Sequence, residues 1–550
     1  MMKKQKRIIS ILAFVVLALM TVTYACSESA GDCVKCGTPE ILMLLESGAA
    51  KTAGRPTVGT TLGTTVLSSL NHFRVHYDTT GYNKPNMTDS NKNGIPDYID
   101  STLVYLEYAW SLEIDTLGYD PPLPDNGAGG GDEIDIYVTN FGNGGYGVTY
   151  PEQSKNGSAT AYCVIDNDYS ESQYASKGYA ALRVTTAHEF FHTIHFRYKY
   201  NFNISWWMEQ SAVWMEDRAW DDVNDYIAYL YHYFGGYRGD TLYPNYSKIA
   251  PLDENTGSYK YGASVWAMFL AKRFGDSLIR TIWEALRDSQ YPYIADFNQA
   301  ILDYTGEATG LPDALGEFGV WNYFTGERAN TTDYYSDGDL FGVMMDSDLF
   351  WQYSPAGDSI SIRNLTTRYI ELLFVGNWKE KDILNVNVLS KNGGSHKSTV
   401  LFYNDPYDYA HHTIEDNEAH IPLSKHWDRA VVVATCTNTN SYLYQFAFET
   451  EMTAPTEVET QPLYAFALNK PYPNPFNPST TISFNLPHPD LVSVRAFNSQ
   501  GQKVADIFDG RLSAGEKRIL WKPLNLGEGV YFVTVSTSNA AKTEKVLLLK

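Results

Sequence analysis

His188-Glu189-Phe190-Phe191-His192 lies inside a run from Tyr179 to Tyr198 that predicts an α-helix. Its two histidines are four residues apart and share one face of that helix, one turn from each other. Two neutral imidazoles at this spacing can bind one Zn²⁺, while Glu189, about 100° round the helix, can contact a water molecule. Metal, water and base are the parts that hydrolysis needs. The alternative is a buried helix with two hydrogen-bonded histidines.

A hydrolytic zinc site has three protein ligands and one open position, so a third ligand is required. The metzincin pattern places a glycine and a third histidine after the first two, but those positions hold His195 and Tyr198. His195 shares the face of His188 and His192. Because three ligands from one short helical segment would strain a tetrahedral site, we predict that His195 is buried or supports a ligand.

A glutamate on a second helix is the other source of a third ligand. Glu209 follows His192 by 17 residues, which leaves room for a helix end, a loop and a return, with Ser205 as the N-cap. Glu216 lies two turns further along on the same face. A helix N-terminal acid stabilised by the dipole is the alternative for Glu209. The distance of Glu209 from H-E-x-x-H along the chain favours its interpretation as the third zinc ligand.

H-E-F-F-H followed by W-W-M-E-Q-S-A-V-W-M-E resembles the gluzincin zinc peptidases, which include thermolysin and aminopeptidases with a W-x-N-E-G-x-A segment. The resemblance implies His188, His192 and Glu209 as zinc ligands, Glu189 as the general base, and Glu216 as an acid that orients a histidine ligand. Gln210 stands where glycine is usual, which affects local packing rather than the ligand. The N-terminus-binding motif of the aminopeptidases is absent, so exopeptidase action is not implied.

The aminopeptidase members also hold the oxyanion with a tyrosine in a Y-x-x-G segment. Ser258-Tyr259-Lys260-Tyr261-Gly262 fits, with Tyr259 at the matching place and Tyr261 as the alternative. The phenol would donate a hydrogen bond to the tetrahedral oxyanion. The chain has 41 tyrosines, so a packing role is the other interpretation.

Strands are predicted over 73–77, 134–138 and 159–165, and helices over 96–113, 179–198, 206–234, 262–274, 277–287 and 294–304. Strands followed by helices indicate an α+β domain. F-R-V-H-Y-D-T-T-G, D-S-N-K-N-G-I-P-D-Y-I-D, H-E-F-F-H and W-N-Y-F-T-G-E-R, in this order, resemble a group of secreted bacterial metalloproteases, many with the same C-terminal tail. The resemblance implies a zincin-like catalytic domain and a protein or peptide substrate.

Two other functions remain open. One is a surface binding or adhesion protein that keeps the zincin scaffold without activity. Aromatic residues make up 14% of the chain and could supply binding platforms, although aromatic packing explains them as well. The intact set of ligands and base disfavours this class. The second open function is an active peptidase whose substrates are restricted to glycosylated or host-surface proteins.

The run Asp89-Ser-Asn-Lys-Asn-Gly-Ile-Pro-Asp-Tyr-Ile-Asp100 places oxygen-bearing side chains at the positions of an EF-hand-type loop. The predicted calcium ligands are Asp89, Asn91, Asn93, Asp97, Asp100 and the backbone carbonyl of Ile95. Gly94 allows the sharp turn, and Asp100 replaces the usual glutamate. A structural Ca²⁺ is expected, and a plain Asx-rich turn is the alternative.

The formal net charge of −22 disfavours binding to nucleic acid or to an anionic membrane surface. A basic N-terminus precedes an apolar run, Ile8 to Met20, that is too short to span a bilayer and indicates a bacterial secretory signal cut before Cys26. Lipidation of Cys26 stays open. We predict no transmembrane segment after signal removal.

The predicted divisions are 1–25 signal peptide, 26–57 pro-segment or N-terminal arm, 58–345 metallopeptidase domain with the calcium loop, 346–450 β-sandwich, 451–467 linker and 468–550 Ig-like domain. In the arm, Cys33-Val-Lys-Cys36 either forms a local disulfide, which export favours, or provides a thiolate that caps the zinc in a latent form. The run Asn469 to Thr480 resembles the start of a secretion-associated C-terminal domain. It implies delivery to the cell surface or medium by the bacterial secretion machinery.

Overall fold

The structure of the protein is a computed structural model. The residues that it describes are 35–48, 55, 64–141, 145–238, 241–342, 348–351, 358–373, 380–453, 466–487, 490–512, 515–523 and 526–549. The predicted signal peptide, Cys26 and Cys33 lie outside the described residues. So does most of the predicted linker.

The first domain is built on a mixed five-stranded sheet. Its strands are β1 (Thr64–Leu67), β2 (Phe73–Tyr77), β3 (Ile134–Thr139), β4 (Gly147–Lys155) and β5 (Ser158–Asp166), in the order β1-β2-β3-β5-β4. β2, β3 and β5 run parallel, and β1 and β4 pair antiparallel at the two edges. The parallel strands are rich in β-branched and aromatic residues and are largely buried, as central strands covered by helices are.

Ten α-helices lie in the described part of this domain. They are α1 (Thr38–Glu46), α2 (Asp97–Trp110), α3 (Gly178–Tyr198), α4 (Ser205–Ala219), α5 (Tyr231–Phe234), α6 (Tyr259–Gly262), α7 (Val265–Phe274), α8 (Ser277–Asp288), α9 (Asp296–Thr305) and α10 (Leu311–Tyr323). A short hairpin of β6 (Gly236–Arg238) and β7 (Thr241–Tyr243) follows α5.

Several helix boundaries differ from the sequence predictions. The helix predicted over 206–234 stops at Ala219, because Trp220 leaves helical geometry and is followed by aspartates and an asparagine, which favour turns over helix interiors. Ser205 is the first helical residue rather than the N-cap, and its hydroxyl donates to the Phe202 carbonyl. Pro96 precedes the first turn of α2 instead of occupying it.

Helix α3 has no solvent-facing stripe over most of its length. Residues from Val184 to Phe196 are all buried, because α3 packs on β4 and β5 of the sheet and on the helices α2, α4 and α8. A helix that is buried all round belongs to a domain interior. The H-E-x-x-H residues are therefore interior groups, and their polar atoms need partners.

A single π-helical turn, Ser111–Thr116, continues α2 and buries a carboxylic acid. The Glu113 side chain is fully buried, and within the described residues neither of its oxygens has a hydrogen-bond partner. Burial raises the pKa of Glu113 well above its ordinary value of 4.5. Burial therefore favours the neutral acid of Glu113 in the folded protein.

Glu113→Gln should make the protein more stable at alkaline pH. The pKa of Glu113 is higher in the folded than in the unfolded protein. Its contribution to the free energy of unfolding is therefore fully present below pH 4.5 and is lost as pH rises towards the folded pKa, at about 1.4 kcal/mol per pH unit. Glutamine is never ionised in the unfolded chain, so the gain in melting temperature should be larger at pH 8 than at pH 5, measured by calorimetry. Glu284→Gln, at a half-exposed glutamate of α8, is the matched control. An equal gain at both pH values would contradict the assignment.

The second domain is a β-sandwich. Its two sheets have the orders β13-β12-β15-β10-β8 and β14-β11-β16-β9 and enclose a separate apolar core. The strands are β8 (Asp348–Trp351), β9 (Asp358–Arg363), β10 (Thr367–Leu373), β11 (Ile383–Ser390), β12 (His396–Asp405), β13 (Asp408–Thr413), β14 (Glu418–Pro422), β15 (Arg429–Cys436) and β16 (Leu443–Thr453). α10 of the first domain packs on β12 and β15.

The last domain has two sheets, β17-β18-β21 and β20-β19-β22-β23, around a third core. Its strands are β17 (Ala467–Leu468), β18 (Thr480–Leu486), β19 (Asp490–Asn498), β20 (Lys503–Leu512), β21 (Gly515–Trp521), β22 (Gly529–Ser536) and β23 (Ala541–Leu548). The three cores confirm a multidomain chain of mixed helix and sheet with a β-rich C-terminal part.

Candidate metal centre

Two packed helices bring three predicted ligands together. The Nε2 atoms of His188 and His192, one turn apart on α3, are 3.0 Å from each other. From α4, the Glu209 carboxylate places Oε2 3.4 Å from Nε2 of His188 and Oε1 3.2 Å from Nε2 of His192. All three side chains are buried. The juxtaposition predicted from the sequence is therefore present in the fold.

The far side of each imidazole is supported by a further polar group. Nδ1 of His188 donates to Oε1 of Glu216 at 2.6 Å, so Nε2 is the ring nitrogen that is directed into the cluster. Nδ1 of His192 lies 3.1 Å from Nδ1 of His195, whose Nε2 lies 3.2 Å from the Ser211 hydroxyl. His195 is thus a supporting group behind His192.

The charges of the cluster are mutually dependent. Burial alone would lower the pKa of His188, but the neighbouring carboxylates of Glu209 and Glu216 outweigh it and raise that pKa to about 10. Burial acts to raise the pKa of Glu209, yet the two imidazoles lower it to about 2. The two carboxylates therefore favour a proton on His188, and a metal ion that binds at Nε2 displaces that proton.

The donor atoms meet the requirements of a divalent metal. Both Glu209 oxygens are buried, and neither makes a well-aligned hydrogen bond within the described part of the chain, although both face imidazole nitrogens. Atoms bound tetrahedrally at about 2.0–2.1 Å lie about 3.3 Å from each other. The observed separations of 3.0 to 3.4 Å match that spacing. Two nitrogens and one carboxylate oxygen fit Zn²⁺.

Glu189 is held beside the cluster with one oxygen free. Its Oε2 accepts a hydrogen bond from the Thr149 hydroxyl at 2.7 Å, whereas its Oε1 is buried and has no partner among the described residues. Burial raises the pKa of Glu189, and the neighbouring imidazoles oppose that shift. A Cβ at Gly147 would lie 2.6 Å from this carboxylate, so only glycine fits on β4 here.

Of the two candidate tyrosines, Tyr261 is the one beside the cluster. Its hydroxyl donates to the Cys36 carbonyl at 2.9 Å and accepts from the Cys36 amide at 3.1 Å. The Tyr259 hydroxyl instead donates to the Ala250 carbonyl at 3.1 Å. The four-residue helix α6 turns these two side chains in different directions, so the position matched by the aminopeptidase segment is not the one that faces the ligands.

Cys36 is the fourth side chain in the cluster. Its Sγ lies 3.4 Å from Nε2 of His192, and one atom from each of Cys36, His188, His192 and Glu209 falls within 4.8 Å of the others. The thiol is buried and free. The structure thus does not support a local disulfide for Cys36, because its sulfur faces the histidines.

The predicted calcium loop is an exposed turn before α2. The Asp89 carboxylate accepts hydrogen bonds from the backbone amides of Asn93 and Gly94 at 3.2 and 2.9 Å. The side-chain amides of Asn91 and Asn93 both donate to the Asp100 carboxylate at 2.9 Å. Asp97 faces Ser90, whose hydroxyl and amide hold the pKa of that carboxylate below its usual value. Gly94 has φ of 89°, as the tight turn requires.

Several contributors to the site were not predicted, among them Ser211 behind His195. Thr149 and Gly147 come from β4, which had no motif, and Lys35 and Asp225 form a buried ion pair close to Glu216. The only sequence signal for this part of the site was the C-x-x-C segment, which contains Lys35 and Cys36. The others are long-range contacts without a sequence pattern.

Comparison with known proteins identifies the tail. A family described as a secretion system C-terminal sorting domain matches residues 470–549. No curated protein matches the chain. Among solved structures, the chain is similar to a β-1,2-glucanase from Parabacteroides distasonis, with 12% identity and a TM-score of 0.15, over 35% of this chain and 32% of that one. It is also similar to the Endo-D glycoside hydrolase domain from Streptococcus pneumoniae R6, with 15% identity and a TM-score of 0.12, over 35% and 32%.

The matched segments thus cover 32% of each of those two structures, and TM-scores this low define no common fold. The sorting domain confirms the prediction that the protein is secreted or held at the cell surface and interacts with the secretion machinery. Within the described ranges, every helix is too short or too polar to cross a bilayer.

Proposed function

We propose that the chain is a secreted zinc-dependent endopeptidase of the gluzincin type, with a zincin-like first domain. The observation that supports this most strongly is the convergence of His188, His192 and Glu209 within 3.0 to 3.4 Å, with neither Glu209 oxygen hydrogen-bonded in the described residues. An inactive binding scaffold has no need for a buried carboxylate whose oxygens face the Nε2 atoms of two imidazoles. The resemblance of H-E-F-F-H and W-W-M-E to gluzincin segments points the same way.

The roles of the chain's own groups follow from their positions. His188, His192 and Glu209 would hold the zinc, which when bound polarises a carbonyl and acidifies water. Glu189 takes a proton from the attacking water at Oε1 and returns it to the leaving amine nitrogen, while Thr149 fixes Oε2. This orientation lets one carboxylate serve both proton transfers.

Tyr261 supplies the hydrogen bond to the oxyanion. Its hydroxyl already donates to the backbone carbonyl of Cys36, beside the ligands, and this contact supports its role as a donor to a peptide group. Burial raises the pKa of Tyr261 well above 10, so the phenol keeps the proton that it donates. The edge strand β4 offers backbone groups to an extended substrate, which favours peptides over other substrates.

The test is cleavage of a peptide library by the zinc-loaded full chain and, in parallel, by Cys36→Ser, because the thiol lies beside the ligands. We expect internal peptide bonds to be cut, with loss of activity under a zinc chelator and recovery with added zinc. A folded, zinc-loaded Cys36→Ser protein that cuts no peptide would reject the proposal.

We also propose that the Asp89–Asp100 loop binds a structural Ca²⁺. Calcium at 100 times its Kd would stabilise the fold by about 2.7 kcal/mol, so EGTA should lower the melting temperature. EGTA also removes zinc, and Asp89→Ala, with intact zinc ligands, is therefore the control. Without added EGTA, Asp89→Ala should already have the lower melting temperature of the calcium-free wild type. At a constant zinc concentration, added calcium should not raise it. Equal calcium responses of both proteins would contradict the site.

A further inference from the structure

The residues around Cys36 lie against the edge of the sheet through one isolated β-bridge, just before helix α1. The Tyr146 amide donates to the Lys35 carbonyl at 2.9 Å, and the Gly37 amide donates to the Gly147 carbonyl at 3.1 Å, so that Cys36 forms a parallel bridge with Gly147. An added strand on an edge strand is a common way to bind a peptide. Here the bound peptide belongs to the chain itself.

Hydrogen bonds hold both the backbone and the thiol of Cys36 in place. The Tyr261 hydroxyl contacts the amide and the carbonyl of Cys36, and the Thr38 hydroxyl accepts from the Cys36 thiol at 3.1 Å. Thr38 also accepts from the Thr149 amide at 2.9 Å, next to the group that holds Glu189. These contacts place the peptide against the Tyr261 phenol and against Thr149, the residue that holds the proposed base.

Lys35 anchors the segment through charge. Its ammonium is 1% exposed and pairs with Glu216 at 2.6 Å and with Asp225, and the rings of Tyr146 and Tyr229 lie 4.9 and 5.1 Å away. A buried ammonium is stable only with partners of this kind. Glu216 also orients His188, so one carboxylate contacts both the ligand set and the segment.

The geometry points to Cys36 as a removable fourth metal ligand, by which the segment Lys35–Ser47 holds the enzyme latent. The distance of 3.4 Å from Sγ to Nε2 of His192 fits a sulfur at about 2.3 Å and a nitrogen at about 2.0 Å on one zinc. A fourth protein ligand fills the position that substrate and water need, and departure of the segment vacates it. This inference rests on the proposed function, whose regulation it describes.

Cobalt substitution tests the ligand without an activity assay. The Co²⁺-loaded full chain should show a thiolate-to-cobalt charge-transfer band that Cys36→Ser lacks. Cys436→Ser, the same change at a free, buried cysteine of the sandwich, should keep the band. An identical spectrum for wild type and Cys36→Ser would overturn the assignment.

Peptide cleavage tests the latency. Cys36→Ser should cut peptides about tenfold or more faster than wild type, since the fraction of accessible sites limits the rate. Lys35→Met, which keeps the thiol and removes the anchoring charge, should also be faster. Equal rates for all three proteins would overturn latency and leave the proposed function standing. A band in wild type with no cleavage by any protein would reject both the peptidase and the latency, leaving Cys36 as a structural ligand.

Discussion

Glu189→Gln should remove most peptide cleavage while the protein still binds one zinc. The amide cannot accept a proton at the position of Oε1, and positioned acid–base groups contribute about 10²–10⁴-fold to such rates. The substitution preserves the size of the side chain and its contact with the Thr149 hydroxyl. The zinc ligands are untouched, so the metal content should not change.

The comparison is made in the Cys36→Ser background, with casein as substrate and zinc measured by mass spectrometry. Glu284→Gln, an isosteric change on the exposed face of α8, is the matched control and should retain full activity. A Glu189→Gln protein that cleaves casein at the rate of its parent would show that this carboxylate is not the base. Loss of zinc in the variant would show instead that Glu189 is part of the ligand set.

Glu216→Gln should weaken zinc binding by about 10- to 100-fold, the usual effect of removing a carboxylate that orients a histidine ligand. Glu216 Oε1 accepts from Nδ1 of His188 at 2.6 Å and fixes both the tautomer and the ring orientation. A neutral amide holds the imidazole less tightly and no longer raises its basicity. Competition with a chelating dye measures the zinc affinity.

Asp225→Asn is the matched control for Glu216→Gln. Asp225 pairs with Lys35 as Glu216 does, but its other oxygen accepts from the Tyr146 hydroxyl at 2.7 Å rather than from a histidine. Both variants should loosen the segment that carries Lys35, whereas only Glu216→Gln should lose zinc affinity. Equal losses in the two variants would mean that the effect comes from the segment and not from His188.

The local parts of the site were predictable because short-range spacing fixes them. The i, i+4 pair His188 and His192 follows from helix geometry, and the loop from Asp89 to Asp100 follows from alternating oxygen-bearing side chains. Glu209 required only one helix–loop–helix return. In each case the chain's own geometry limits where the side chains can be.

The remaining parts depend on packing between distant segments. Cys36 meets His192 across 156 residues, and Lys35 meets Asp225 across 190. No periodicity links such positions. The choice between Tyr259 and Tyr261 depends on how one turn of helix docks, and two phenols two residues apart give no sequence signal for it.

The domain pattern was readable where strands are short and turns are frequent, as in β8–β16 and β17–β23. The end of α4 at Ala219 was harder to predict, because the sequence stays rich in aromatic residues after it, for example Trp220 and Tyr226. Aspartates at 221 and 222 favour the turn. Burial, rather than periodicity, keeps the aromatic side chains beyond the turn in the same core.

The position of the ion in zinc-loaded crystals of the full chain, located by anomalous scattering at the zinc edge, tests most directly whether three side chains from two helices bind one metal. We expect one peak within about 2.0–2.2 Å of Nε2 of His188, Nε2 of His192 and a carboxylate oxygen of Glu209. A zinc-free cluster, or a peak that Glu209 cannot reach, would contradict the proposed peptidase.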